Sequence, residues 1–150
     1  MTVEPVAVVR SARRAIDDDH WGEVEATIEL CDGVPAESLS GLDAFSHAEI
    51  VFVFDQLEAS AVVRGSRHPR DNQRWPRVGI FAQRARARPN RLGTTIVRIL
   101  SCEGARLRVR GLDAIDGTPV LDIKPVMAEF LPREPVRQPA WSTELMADYW

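Results

Sequence analysis

The strongest constraint on this chain is a succession of short apolar runs separated by turn residues. In "GEVEATIEL" (22–30), Val24, Ala26, Ile28 and Leu30 fall on one face and charged residues on the other, the period of a half-buried strand. "PVAVVR" (5–10) and "AEIVFVFDQ" (48–56) are β-branched or aromatic runs, and "PVLDIKPV" (119–126) is a strand closed by proline. "TTIVRILSCEGARLRVRGL" (94–112) reads as two alternating strands meeting at Gly104. "SAVVRG" (60–65) and "RVGIFAQR" (77–84) are further strand candidates, while "PAESLSGLDAF" (35–45) suits a helical turn or loop. "STELMADYW" (142–150) suits a short helix capped by Ser142 or Thr143. About seven short strands with few short helices predict a mainly β domain, and the need to close or cover strand edges favours a small antiparallel β-barrel. A doubly wound α/β fold is excluded, since strands do not alternate with helices and no G-x-G-x-x-G occurs.

A chain of 150 residues suits one domain that buries a core without disulfides. Prolines 132, 135 and 139 mark an extended stretch, so the barrel domain is expected over 1–130 and a Pro-containing tail with a short helix over 131–150. No apolar run approaches the ~20 residues of a membrane span. "MTVEPVAVVR" does not read as a signal peptide. A cytoplasmic protein with Cys31 and Cys102 reduced is therefore expected, with no membrane partner. No Cys/His spacing fits a zinc site, and Asp113, Asp116 and Asp122 match no Ca²⁺ loop, so no metal is expected. His20, His47 and His68 have no Ser or Cys partner at a recognisable spacing, which leaves no nucleophilic triad.

Charge is segregated along the chain. Residues 1–63 sum to −10, residues 64–110 to +11 and residues 111–150 to −4, giving the net −3. The basic third uses arginine alone, whose planar fork fits phosphate oxygens and whose charge is permanent. Two readings follow: a phosphate-rich partner, or arginines solvated and paired with the acidic flanks.

Two stretches stand out. "RARARPNRLGTT" (84–95) gathers Arg84, Arg86, Arg88 and Arg91 around a Pro-Asn turn. It is either an ordinary turn with a permissive Gly93, or a presentation of Arg side chains and backbone N–H groups to an anionic ligand that Gly93 lets approach. "GLDAIDGTPVLDIKP" (111–125) holds three aspartates around a D-G-T-P turn. Asp116 belongs to that turn chemistry. Asp122 and Lys124 share a strand face, where Asp122 can pair across the sheet or with an arginine.

Taken in order, "FSHAEIVFVFDQ", "RVGIFAQRARARPNRLG" and "LDAIDGTPVLDIKP" resemble the TsaA-like (TrmO) family of S-adenosylmethionine-dependent tRNA methyltransferases over roughly residues 5–127. The resemblance implies a small antiparallel barrel without a Rossmann-like fold, and a homodimer with S-adenosylmethionine near the subunit interface. It implies methylation of the exocyclic nitrogen of threonylcarbamoyl-adenosine beside the tRNA anticodon. Carried onto this chain, the cofactor contacts are Asp55 and Gln56, then Arg84 and Thr94, then Gly111, Leu112 and Asp113. Arg86, Arg88, Asn90, Arg91 and Lys124 are the residues expected to meet the RNA, and no catalytic base is assigned.

The chain also departs from the family pattern. Where the family carries Pro-Arg-Gln after the first strand, this chain has Asp17, Asp18 and Asp19. Where a tyrosine follows Asp-Ile-Lys-Pro, it has Val126, and the C-terminal domain of longer members is not expected in a sequence ending at Trp150. Two alternatives stay open: a methyltransferase of the same fold acting on a small molecule, and a non-catalytic RNA- or nucleotide-binding module.

Overall fold

The computed structural model describes residues 2–150. Six strands close into an antiparallel barrel: β1 (Ala7–Ser11), β2 (Glu25–Leu30), β3 (His47–Val53), β6 (Leu92–Glu103), β7 (Arg106–Arg110) and β8 (Pro119–Pro125). Their order around the barrel is β1-β2-β7-β6-β3-β8, with β8 returning to β1. The mainly β barrel with few short helices is the fold expected of the sequence. Period-two alternation does the work: β3 buries Ala48, Ile50 and Phe52 and turns His47, Glu49, Val51 and Val53 outward. Small inward residues (Ala7, Ala26, Ala48) offset large ones (Ile28, Ile50, Phe52, Leu107), as a narrow barrel interior requires.

Strand β6 is long because it serves two neighbours. Leu92 to Arg98 pair with β3, and Arg98 to Glu103 pair with β7, with a register irregularity between Ile99 and Ser101. Such an irregularity bends a strand and lets it turn a barrel corner. Gly104, at φ +57°, makes the tight turn into β7 that the "CEGA" stretch predicts. Short 3-10 turns at Ala36–Leu39 and Leu42–Ala44 fold over one mouth of the barrel, where Leu39 is buried.

Three expected elements differ. Residues 60–65 are not a strand: Ala59–Ala61 is a 3-10 turn, and the next pairing is a two-residue ribbon of β4 (Ser66–Arg67) with β5 (Val78–Gly79) outside the barrel. The expected strand over 77–84 likewise shrinks to β5, because Ile80–Ala82 turns inward to bury Ile80. Pro69 and Pro76, which lack N–H donors, keep this region from a longer ladder. The helix α1 (Ala140–Leu145) starts earlier than expected, behind Pro139, and Ser142 is inside it, its hydroxyl donating back to the Pro139 carbonyl.

After an exposed stretch over 131–139, α1 carries the chain back to the barrel. The amides of His20 and Trp21 donate to the carbonyls of Asp148 (2.9 Å) and Tyr149 (2.8 Å). A Cβ on Gly22 would stand 2.7 Å from the Trp150 carbonyl carbon, so only glycine allows this approach.

Candidate functional site

The end of the barrel opposite Leu39 collects most of the residues marked out in the sequence. It is formed by the end of β3, the start of β6 and the segment following β7. Asp55 and Gln56 are exposed on the turn leaving β3. Arg91 clasps that turn from both sides: its carbonyl accepts from the Phe54 amide at 2.9 Å, and its guanidinium donates to the Leu57 carbonyl at 2.8 Å. Asn90 and Arg91 both hold positive φ (65° and 54°), a conformation kept only where the surroundings enforce it.

Each arginine of the 84–91 loop is individually placed. Arg84 donates to the Thr94 carbonyl at the start of β6, Arg88 donates to the Gln83 carbonyl at 3.0 Å, and the Arg86 guanidinium has no hydrogen-bond or ion-pair partner among the described residues. Gln83 is buried and ties the loop to the β4–β5 ribbon through the carbonyls of Arg67 (3.0 Å) and Val78 (3.1 Å). A guanidinium carries five N–H donors, so even the bracing arginines keep several free. Among the described residues, none of these four arginines makes a salt bridge.

Gly93 serves packing rather than ligand approach. A Cβ there would sit 2.5 Å from two carbons of the Phe52 ring and 3.0 Å from Phe54. The two rings meet edge to face with centroids 5.2 Å apart, and the glycine lets β6 pass over them.

Asp113 is the centre of the inner part of the site. Gly111, at φ +83°, turns the chain out of β7, its amide donating to the Val24 carbonyl at 2.9 Å. Leu112 then plugs the core with no exposed surface, which leaves its backbone rather than its side chain for a ligand. The turn delivers Asp113, half-buried, to the mouth, where one carboxylate oxygen accepts from the buried Thr95 hydroxyl and the other from the Tyr149 hydroxyl. Thr94 and Thr95 thus divide between two jobs, Thr94 holding Arg84 and Thr95 holding Asp113. Burial above all, then the charge of Asp113 and the hydrogen bond to it, push the Tyr149 phenol far above its ordinary pKa, with Arg84 and Arg70 acting in the opposite sense.

Sequence reasoning missed Thr95 and Tyr149. The one available signal for the latter is that Tyr149 is the only tyrosine of the chain. Lys124 stands apart from the group. It faces outward in register with Glu49, whereas Leu92 beside the loop is in register with Val53, four residues on and roughly 13 Å along the strand. Its ammonium pairs with Asp122, which raises its pKa.

The aspartates that replace the expected Pro-Arg-Gln segment are absorbed by cations. Asp19 takes Arg70 on both oxygens at 2.6 and 3.1 Å, and Asp18 lies 3.9 Å from the same guanidinium. Asp17 lies 3.9 Å from Arg13, whose guanidinium stacks 3.5 Å over the Trp21 ring. Cys31 and Cys102 are free, half-buried thiols. Among the described residues no group of His, Cys, Asp and Glu is arranged to hold a metal ion, and no helix is long and apolar enough to cross a membrane.

Comparison with known proteins places this geometry in a family. The family model of the tRNA-methyltransferase O N-terminal domain matches residues 15–130. A probable S-adenosyl-L-methionine-binding protein of Pyrococcus abyssi is 37% identical over 116 residues, covering 77% of this chain and 59% of that protein. The tRNA (adenine(37)-N6)-methyltransferase of Homo sapiens is 39% identical over 105 residues, covering 70% of this chain and 23% of that protein. The crystal structure of TrmO from Pseudomonas aeruginosa superposes with a TM-score of 0.72 and 31% identity, covering 91% of this chain and 60% of the solved one. This chain therefore spans less than two thirds of the length of each of these relatives. The chain belongs to the tRNA-methyltransferase O N-terminal domain family.

Proposed function

We propose that this chain binds S-adenosylmethionine at the mouth lined by Asp55, Gln56, Arg84, Thr94 and Gly111–Asp113, and directs its methyl group to the exocyclic nitrogen of an adenine in tRNA. One observation carries this reading most: a carboxylate held by two hydroxyls and a guanidinium without an acidic partner stand on the same rim. Those groups suit the cofactor's chemistry. Asp113 can accept from ribose hydroxyls, Arg84 can meet the amino-acid carboxylate, and the backbone of 111–113 can read the adenine edge.

Bound S-adenosylmethionine supplies a methyl group that is already activated on sulfur. The chain's own part is to hold, orient and exclude water so that the acceptor nitrogen lies in line at about 3 Å. The acceptor loses a proton in the exchange, and no residue is assigned to take it.

Arg86, Arg88, Asn90 and Arg91 form the outward side of the same loop, and Phe81, 76% exposed, presents a ring three residues before Arg84. Free guanidinium donors beside an exposed aromatic suit an RNA backbone and an unstacked base. The finer reading, threonylcarbamoyl-adenosine next to the anticodon, rests on the family's motifs. So does the homodimer, which the outward apolar side chains Leu92 and Ile96 on β6 would serve. A cytoplasmic location follows from a tRNA substrate.

Calorimetric titration with S-adenosylmethionine of the wild type, Arg84→Ala and Asp113→Ala tests the site. Saturable binding that both variants lose is expected, and a folded wild type that binds no cofactor overturns the reading. Product analysis with threonylcarbamoylated and unmodified tRNA then fixes the acceptor. Methylation of neither, by a protein that binds both cofactor and RNA, overturns the tRNA assignment.

A further inference from the structure

The segment Asp148–Trp150 lies outside the residues that match the family model, yet it reaches the centre of the proposed site. Backbone contacts of the segment itself, and one contact of α1 before it, seat it there. The His20 and Trp21 amides bind its carbonyls, the Trp75 indole N–H donates to Glu144 on α1 at 3.0 Å, and Gly22 leaves room for the Trp150 backbone. The Tyr149 ring is further braced edge-on by Trp150, with centroids 4.9 Å apart. This seating gives the Tyr149 hydroxyl one acceptor, an Asp113 carboxylate oxygen, while Thr95 takes the other.

We propose that Tyr149 is a positioning residue of the cofactor site, its hydroxyl and that of Thr95 fixing the Asp113 carboxylate in a single orientation for a ribose diol. A carboxylate offers about four acceptor positions. Two are spent on the protein hydroxyls, one on each oxygen, and one per oxygen remains. The remaining pair matches the two adjacent hydroxyls of a ribose, each of which brings one donor. Without Tyr149 the carboxylate is held through one oxygen only, and binding must then order the other. This inference rests on the proposed role of Asp113 and adds to it a residue of a different segment.

The contact can be tested without the cofactor. Because Tyr149 is the sole tyrosine, phenolate absorbance during alkaline titration reports on it alone. The wild type is expected to resist titration well past the usual tyrosine range of about 10. Asp113→Asn removes the negative charge and is expected to move the titration to lower pH, since the Arg84 and Arg70 charges, which favour the phenolate, are then unopposed. An identical titration in wild type and Asp113→Asn overturns the contact.

Its consequence is tested by S-adenosylmethionine affinity and by the split between KM and kcat. Tyr149→Phe keeps the ring and its packing, and is expected to weaken cofactor binding roughly tenfold, since a hydrogen bond to a charged group is lost. KM for the cofactor rises while kcat changes little, and the melting temperature stays close to that of the wild type. If Tyr149→Phe binds like wild type while Asp113→Asn does not, the tyrosine serves packing alone and the inference fails with the site intact. If Tyr149→Phe binds more tightly, the segment obstructs the site and the inference is likewise overturned. If Asp113→Asn itself binds normally, the proposed site fails, and this inference with it.

Discussion

Two groups of arginines from one basic stretch of sequence have been put to opposite uses. Arg106, Arg108 and Arg110 alternate outward along β7, directly across from Glu29, Thr27 and Glu25 of β2. Arg106 meets Glu29 at 3.3 Å, Arg108 meets Glu25 at 3.0 Å, and Arg110 meets Glu25 at 3.1 Å and Glu23 at 3.7 Å. The acidic first third thus neutralises this group as sheet dressing. Arg84, Arg86, Arg88 and Arg91 occupy a loop with no strand opposite, and three of them brace the backbone while carrying no carboxylate. Period-two geometry explains the difference: a strand forces a cross-strand neighbour on every outward residue, and a loop does not. The reading of arginines paired with the acidic flanks therefore holds for the β7 group, and the phosphate-rich partner is proposed for the loop group alone.

The comparison can be broken at several points. The largest expected effect is at the seat of the loop. Gly93→Ala pushes a methyl into the Phe52 ring and is expected to cost roughly 1–3 kcal/mol of stability, as overpacking does. Urea denaturation measures it, and a wild-type midpoint would mean the aromatic pair yields freely. Next comes RNA affinity. Replacing Arg86 and Arg88 by alanine is expected to lower tRNA affinity about 25-fold at 0.1 M salt and to flatten its salt dependence, as two lost phosphate contacts would. The matched pair Arg106→Ala and Arg108→Ala, tested by anisotropy in the same buffers, should change affinity less than about twofold, because those guanidinium groups already have partners. Equal losses in both pairs would erase the distinction between loop and sheet.

The smallest effect lies in the sheet ladder. The hydrogen bond from Arg110 leads the causes that lower the Glu25 pKa, with Arg108 adding to it. A carboxyl depressed in the folded state stabilises the fold above its unfolded pKa, and that contribution disappears as pH falls through the folded value. Glu25→Gln should therefore leave a variant whose stability falls less steeply below about pH 4.3 than that of the wild type. Urea midpoints at neutral and acid pH would show the difference, and parallel pH profiles would sink the assignment. The ladder is solvent-exposed, so high salt should shrink this difference further.

Much of this was legible in the sequence, for a physical reason. β1, β2, β3, β6, β7 and β8 announce themselves because each buries one face, and burial imposes alternation. Residues 59–82 do not, since their ribbon is two residues long on each side and their order comes from contacts such as those of Gln83. Loop and aspartate motifs marked Arg84, Thr94 and Asp113, which the structure brings to one rim. They gave no sign that Arg84 would grip the Thr94 backbone, nor that Lys124 would stand apart. Tyr149 was invisible because its partner lies 36 residues away and no periodic pattern links the two.

The closure of the barrel also sets a timetable. Its seam joins Ala7 to Val120, so the first strand made must wait for the last before either has both neighbours. Until residue 120 has left the ribosome, β1 offers one bare hydrogen-bonding edge to any extended chain nearby. Pairing over such a distance belongs to the slow, millisecond-to-second class of folding reactions. The Asp148–Trp150 segment docks onto residues 20–22, and its partner Asp113 precedes the closing strand. The contact that would finish the site thus becomes possible only after the closing strand has been made.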